Sequence, residues 1–165
     1  MSSSFSYLLR IPSPIGRIEL TADDAAVTSL SIARDDVLPL DDHPERSSAV
    51  LDDAAVQLEE YFAGTRRSFD VPVHLAGTPF HTAVWERLSG LEYGTLTTYG
   101  ELGLAIGRPG YGRAIGGAVG SNPIPIIIGC HRVLSSTGKI TGYSGGEGIP
   151  TKLWLLEHEG ITLAA

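Results

Sequence analysis

Three consecutive positions bring together a soft nucleophile, a base and a cation: Cys130, His131 and Arg132. A thiol is a weak nucleophile at neutral pH because its unperturbed pKa is about 8.5, so reaction demands a base or cationic surroundings. His131 and Arg132 are the immediate candidates. A neutral imidazole can take the thiol proton directly or through a water, and a carboxylate on its far nitrogen fixes the tautomer and stabilises the imidazolium. Glu157 and Glu159, near the C-terminus, are both available for that. Cys130 is the single cysteine of the chain, which excludes an internal disulfide and a cysteine-rich zinc site. It is therefore either a small buried hydrophobe or a reactive thiol. His43, His74, His81 and His158 show no ligand spacing, so neither a metal nor a cofactor is expected.

The elements that must position this pair fall into two lobes, 1–76 and 77–165. Strands are expected at Ser6 to Ile11, Arg17 to Thr21 and Ala26 to Ala33, with Gly and Pro marking the breaks. An acid-rich loop with two prolines follows. Ser47 or Ser48 can then cap a helix running to about Phe62, with Gly64 as its stop. In the second lobe, Thr78-Pro79 starts a helix to about Leu88. Thr98-Tyr-Gly-Glu101 has the capping-box pattern and opens a short helix to about Ile106. Gly107-Arg-Pro-Gly110 forces a turn, and Tyr111 to Val119 forms a second short helix. Two short helices around a Gly-containing turn read as a helix-turn-helix. The second is rich in glycine, which costs roughly 1 kcal/mol per helical position. Either the helix packs closely within the protein, or its backbone must approach another surface. Ile124 to Ile128 reads as an apolar strand entering Cys130, and neighbouring residues on a strand face opposite ways.

The net charge of −7 argues at first against a nucleic-acid partner. The acidity is confined to residues 1–76, with 13 acidic against 6 basic side chains, while residues 77–165 carry 6 of each. From Leu102 to Gly146 there are four cations, Arg108, Arg113, Arg132 and Lys139, and no acid, so this window can face phosphates. No apolar run approaches the roughly 20 residues of a membrane span. The N-terminal Met1-Ser-Ser-Ser-Phe-Ser lacks the pattern of a secretory signal. A cytoplasmic monomer is the expectation.

Several spaced motifs match together: Thr98-Tyr-Gly-Glu-Leu102, Gly112-Arg-Ala-Ile-Gly-Gly-Ala118, Asn122-Pro-Ile-Pro125, Cys130-His-Arg-Val133, Gly142-Tyr-Ser-Gly-Gly146 and Trp154-Leu-Leu-Glu-His-Glu-Gly160. With these the chain resembles the O6-alkylguanine-DNA alkyltransferases, also called methylated-DNA-protein-cysteine methyltransferases. The resemblance implies an α/β (α+β) chain: a small ribonuclease-H-like α/β lobe without catalytic residues, then a mainly helical, winged helix-turn-helix-like lobe. It implies direct-reversal DNA repair, with each molecule reacting once. Cys130 would be the alkyl acceptor, His131 its base acting through a water, Glu159 the carboxylate orienting His131, and Asn122 the hinge beside them. Tyr99 would assist departure of guanine at N3. Ser144 would contact the O6 side, with Gly145 beside it, and the carbonyl of Val133 would receive the guanine amino group. Arg113 would fill the gap left by a flipped nucleotide while Tyr111, Ala114, Gly116 and Gly117 lie along the minor groove of double-stranded DNA carrying O6-alkylguanine.

Two departures from the family pattern stand out. Gly129 occupies the place of a usual proline, and the added chain flexibility suggests slower transfer than a Gly129→Pro variant would show. Gly146 to Lys152 is about two residues longer than usual, which bears on alkyl size. Two rivals remain: an alkyltransferase-like protein that binds lesions without reacting, and a cysteine hydrolase using Cys-His-Glu. The first lacks support because Cys130 is present; the second gives the glycine-rich helix no role.

Overall fold

The computed structural model describes residues 5–163. The N-terminal expectation about a signal sequence falls largely on residues 1–4 and so lies outside them. The chain groups by contact into two units, one reaching to Leu75 and taking in Gly145–Glu147, the other made of Ala76–Ser144 and the chain from Gly148 onward.

The first unit is built on an antiparallel sheet in the order β1 (Tyr7–Ile11), β2 (Ile18–Ala22), β3 (Val27–Ile32). All five residues of the central β2 are buried. Its apolar residues Ile18, Leu20 and Ala22 need no partners, but Glu19 and Thr21 do. Glu19 accepts from Arg10 Nε at 3.1 Å and from the Leu40 amide at 3.1 Å, and the Thr21 hydroxyl meets those of Thr28 and Ser29. Helix α1 (Ala49–Ala63) buries Leu51, Ala54, Leu58 and Tyr61. Its start is fixed by Ser48, whose hydroxyl accepts from Leu51 N at 3.3 Å, and its end by Gly64 at φ 83°. The acid-rich loop is strapped down by Arg17, which grips Asp41 at 2.8 and 2.9 Å and Asp36 at 3.0 Å. Gly145–Glu147 belongs here through Arg34 Nε donating to Gly146 O at 2.8 Å and Asp35 N to Glu147 Oε2 at 2.8 Å.

The second unit contains α2 (Pro79–Ser89), β4 (Thr97–Thr98), α3 (Tyr99–Ala105), α4 (Gly112–Gly120), β5 (Val133–Leu134) and α5 (Ile149–His158). Helix α2 is capped by Thr78, with Pro79 in its first turn. Trp85 fastens α2 to α4, its indole N–H donating to Ala118 O at 2.8 Å in a buried setting. In the α3–α4 hairpin, a Cβ on Gly103 would lie 2.8 Å from Arg108 O, so the tight return of the chain requires glycine there. The two-residue β4 pairs in parallel with β5, Thr97 with Val133 and Thr98 with Leu134. This short ladder places the start of α3, and thus Tyr99, beside the chain leaving Cys130.

The expected strand at Ile124 to Ile128 does not form. The segment is a series of turns, and Cys130–Arg132 is one turn of 3-10 helix. The physical reason is local. Pro123 and Pro125 remove two backbone donors, and the buried Asn122 side chain captures the segment at both ends: Nδ2 donates to Ile128 O at 2.9 Å, and Oδ1 accepts from Ile124 N at 3.0 Å. Between them Ile126 sits at φ 75°, a strained angle for a β-branched residue, and is fully buried. No helix among the described residues is long and apolar enough to cross a membrane.

Candidate active site

Cys130 opens the 3-10 turn, with its amide donating to Ile128 O at 2.8 Å, and is only 2% exposed. Burial pushes its thiol pKa up, while the neighbouring Asn122 and Tyr143 side chains and the charge of Lys152 pull the other way. The group is thus a thiol at rest and must lose its proton as it reacts. His131 is fully buried beside it. Its Nε2 lies 2.7 Å from Glu159 Oε2. An ionised carboxylate can only accept, so Nε2 carries the hydrogen and Nδ1 presents a lone pair. That Nδ1 is buried and makes no protein hydrogen bond among the described residues. Burial, with Arg132 and Lys152, lowers the His131 pKa against the opposing pull of Glu159. His131 is therefore a neutral base whose Nδ1 lone pair no protein group among the described residues engages.

Glu159 follows the last turn of α5, and all four of its acceptor positions are used. Oε1 accepts from Arg132 Nε at 2.8 Å and Gly94 N at 3.0 Å, and Oε2 from Arg132 Nη2 at 2.9 Å and His131 Nε2. Against the upward push of burial, the hydrogen bonds from His131 and Arg132 hold its carboxyl well below the usual range. Of the two carboxylates left open by spacing, Glu159 is the one engaged. Arg132 is buried in this cluster, which corrects its reading as a cation able to face phosphates.

A cavity of about 200 Å³ opens over the cysteine, lined by Tyr99, Gly116, Cys130, Tyr143, Ser144 and Lys152, among others. It is small beside the roughly 300–1,000 Å³ of pockets for drug-sized ligands, and suits one flat ring system. Tyr99 and Ser144, expected at the substrate, line this cavity with Cys130, and so does Gly116, which was expected along the minor groove. Gly145 does not line the cavity; it groups with the other unit because the adjacent Gly146 is held by Arg34.

Lys152 and Tyr143 were missed as site residues. Lys152 is buried, donating from Nζ to Val133 O at 2.6 Å and Gly142 O at 3.1 Å, and burial lowers its pKa. One acceptor position of the Val133 carbonyl, expected to face a ligand, is thereby already taken. A sequence signal existed: Lys152 shares a helix face with the buried Leu155, Leu156 and Glu159. Tyr143 lay inside a quoted motif but drew no role.

On α4, Tyr111 to Ala114 and Gly117 are exposed, while Ile115, Ala118 and Val119 face inward. Arg108 stacks over Tyr111 with its guanidinium carbon 5.8 Å from the ring centre. A Cβ added at Gly112, Gly117 or Gly120 would meet nothing within 4 Å, and one at Gly116 only the Tyr99 ring at 4.0 Å. Packing within the protein therefore does not require these glycines. A smooth outer backbone, with Arg113 projecting from it, is what they provide.

Comparison with known proteins assigns both regions. Residues 79–161 match the family described as "6-O-methylguanine DNA methyltransferase, DNA binding domain" and residues 7–75 its "ribonuclease-like domain". The chain is 39% identical over 157 residues to the methylated-DNA–protein-cysteine methyltransferase of Haemophilus influenzae, covering 94% of this chain and 87% of that one. It is similar to the solved O6-methylguanine methyltransferase of Mycobacterium tuberculosis, with TM-score 0.83, 40% identity and 96% of each chain covered. A structure of Mycobacterium tuberculosis OGT in complex with DNA matches equally, with TM-score 0.83 and 40% identity over 93% of this chain and 92% of that one.

Proposed function

We propose, from the premise that the chain belongs to the 6-O-methylguanine DNA methyltransferase family, that its alkyl acceptor is Cys130 and its base His131. The protein repairs DNA by direct reversal, transferring an alkyl group from O6-alkylguanine to a cysteine. The observation that supports the residue assignment is the hydrogen-bonded pair next to the cysteine: His131, the residue after Cys130, is buried, has no protein partner on Nδ1 among the described residues, and donates from Nε2 to Glu159.

The chemistry follows. An O6-alkyl group cannot be reached within a stacked duplex, so the nucleotide rotates out and its base enters the cavity over Cys130. As the sulfur attacks the alkyl carbon, its proton passes to His131 Nδ1, directly or through a water. The S–C bond forms, the C–O bond breaks, and its electron pair stays on guanine O6. Guanine leaves neutral on taking a proton, and of the two phenols on the cavity wall, Tyr99 and Tyr143, the family resemblance favours Tyr99 for this step. Glu159 stabilises the imidazolium until it returns its proton. The thioether is stable and the chain has one cysteine, so each molecule reacts once. Ser144 faces the O6 side. The exposed glycine-rich face of α4 lies along the minor groove and Arg113 occupies the vacated stack. Cytoplasmic residence is part of this reading, in keeping with a role in DNA repair.

The test is intact-protein mass after mixing with a duplex carrying one O6-methylguanine. One added methyl per chain is expected, and none in Cys130→Ala. An unchanged mass with retained lesion binding would replace this reading with that of a lesion-binding protein that does not react.

A further inference from the structure

Glu159 is held from two sides, and one of them belongs to a stretch of chain that the transfer reaction as described does not use. His131 and Arg132 reach its carboxylate from the turn that carries Cys130. The remaining bond comes from the connection between α2 and β4, where the Gly94 amide donates to Oε1 at 3.0 Å. That connection grows straight out of α2, with Gly90 N donating to Arg87 O and Leu91 N to Leu88 O. It closes as a turn through Thr95, whose amide and hydroxyl donate to Glu92 O at 3.2 and 2.7 Å. Its other contacts fall on the same neighbours. The Tyr93 hydroxyl donates to His158 O at 3.1 Å, one of the carbonyls that a helix end leaves open, and Leu91 O accepts from Arg132 Nη1 at 2.8 Å.

Gly94 has two separate reasons to be glycine. Its φ is 76°, in the left-handed region. A Cβ there would also lie 3.2 Å from Glu159 O, inside ordinary van der Waals separation. A side chain would therefore push apart the two backbones whose contact sets the amide on the carboxylate. The Glu159 side chain has no exposed surface, whereas Glu92 and Thr95 are exposed and Gly94 is half-buried. The turn is thus the cover between the carboxylate and solvent.

We infer that Gly94 is a positioning residue for alkyl transfer, whose amide and missing side chain hold the Glu159 carboxylate in place behind His131. This rests on the reading of His131 as the base. The carboxylate hangs from the residue that ends α5, and its donors from His131 and Arg132 share one turn and move with it. Among the described residues, only Gly94 ties the carboxylate to a separate element. The charged and titratable groups around His131 are Cys130 and Arg132 on its own turn, with Lys152 and Glu159 from α5 and its end. Displacing the amide takes a donor from Glu159, which then draws a proton onto the imidazole more strongly. It also admits water toward the buried ring, which favours the charged form. Both changes act in one direction, so His131 protonates at higher pH.

The experiment is the single-turnover rate of methyl transfer from an O6-methylguanine duplex, followed from about pH 4.5 to 9 so as to cross the protonation of His131. The chains compared are wild type, Gly94→Ala, Gly94→Asn, Glu159→Gln and the Gly94→Ala/Glu159→Gln double variant. Neutral His131 is the active form, so the rate falls on the acid side. Gly94→Ala should lower the plateau about tenfold, as a small misplacement of a reacting group does. It should also move the acid limb to higher pH, and on that limb a shift of about half a unit adds a further deficit of about threefold. Asparagine tolerates a left-handed φ but brings the same Cβ. Gly94→Asn should therefore move the limb in the same direction, and it decides the matter even if Gly94→Ala fails to fold. Added to Glu159→Gln, Gly94→Ala should cost little more, because the carboxylate through which Gly94 acts is gone. A rate lowered by one factor at every pH, both Gly94 variants matching wild type, or losses that multiply in the double variant would overturn the proposal. Failure of the wild-type chain to take up methyl at all would instead sink the reading of the site.

Discussion

Glu159→Gln should lose alkyl transfer and stability together, by about a hundredfold or more in single-turnover rate and about 3–5 kcal/mol in unfolding free energy near pH 7. The carboxylate accepts four hydrogen bonds, and an amide offers one oxygen and one donating NH₂ group. Whichever way the amide turns, its NH₂ faces a donor of Arg132 or His131. The buried guanidinium then lacks its counter-charge, which is the expensive way to break a buried pair. His131 meanwhile loses what orients its ring. The pH dependence of the stability difference has a definite sign. The folded-state pKa of Glu159 is depressed, so its contribution is fully present above the unfolded value near 4.3 and fades as pH falls below it. Chemical denaturation of both chains at about pH 7 and pH 3 measures this. A gap of equal size at both would show that the ionised carboxylate is not what Glu159 contributes.

Arg113→Ala should separate DNA handling from chemistry. Arg113 is exposed on α4, away from the Cys130–His131–Glu159 cluster. Extruding a nucleotide costs a few kcal/mol, and an inserted side chain offsets part of it. Losing about 2–3 kcal/mol of that compensation lowers the rate on a duplex about 30- to 150-fold. Reaction with a free O6-alkylguanine base needs no extrusion and should be nearly unchanged. Comparing the two substrates in one assay series tests the assignment; equal losses on both would place Arg113 in the chemistry or the fold instead.

Much of this was legible in the sequence because local rules agreed with the final structure. The strands of the first unit, the caps at Ser48, Thr78 and Thr98, and the stop at Gly64 lie where turn and capping residues put them. The approach to Cys130 was misread as a strand because its run of isoleucines satisfies β-propensity. Two prolines and the Asn122 side chain, a tertiary capture that periodicity does not register, override that preference. Spacing left Glu157 and Glu159 equivalent. Only the direction in which α5 ends puts Glu159 against His131. Arg132 looked like a surface cation because charge counts carry no information about burial, and Lys152 was overlooked for the same reason.

The burial of Arg132 also bears on how the protein finds its target. With Arg132 committed to Glu159 and Arg113 assigned to the vacated stack, the acid-free window from Leu102 to Gly146 keeps two cations able to meet phosphates: Arg108 and Lys139. Counterion release from these two contacts then gives the logarithmic dependence of DNA affinity on salt a slope of about −1.8, at roughly 0.9 per phosphate neutralised. A chain of net charge −7 also gains no long-range attraction to a polyanion. Search should therefore proceed by short-lived encounters that salt weakens less steeply than it does those of a protein holding roughly six to ten phosphates, with affinity drawn from contact of the smooth α4 backbone and the flipped base. Titrations of a lesion-bearing duplex across salt concentrations would show this directly, and a slope steeper than about −5 would mean that other cations join the interface.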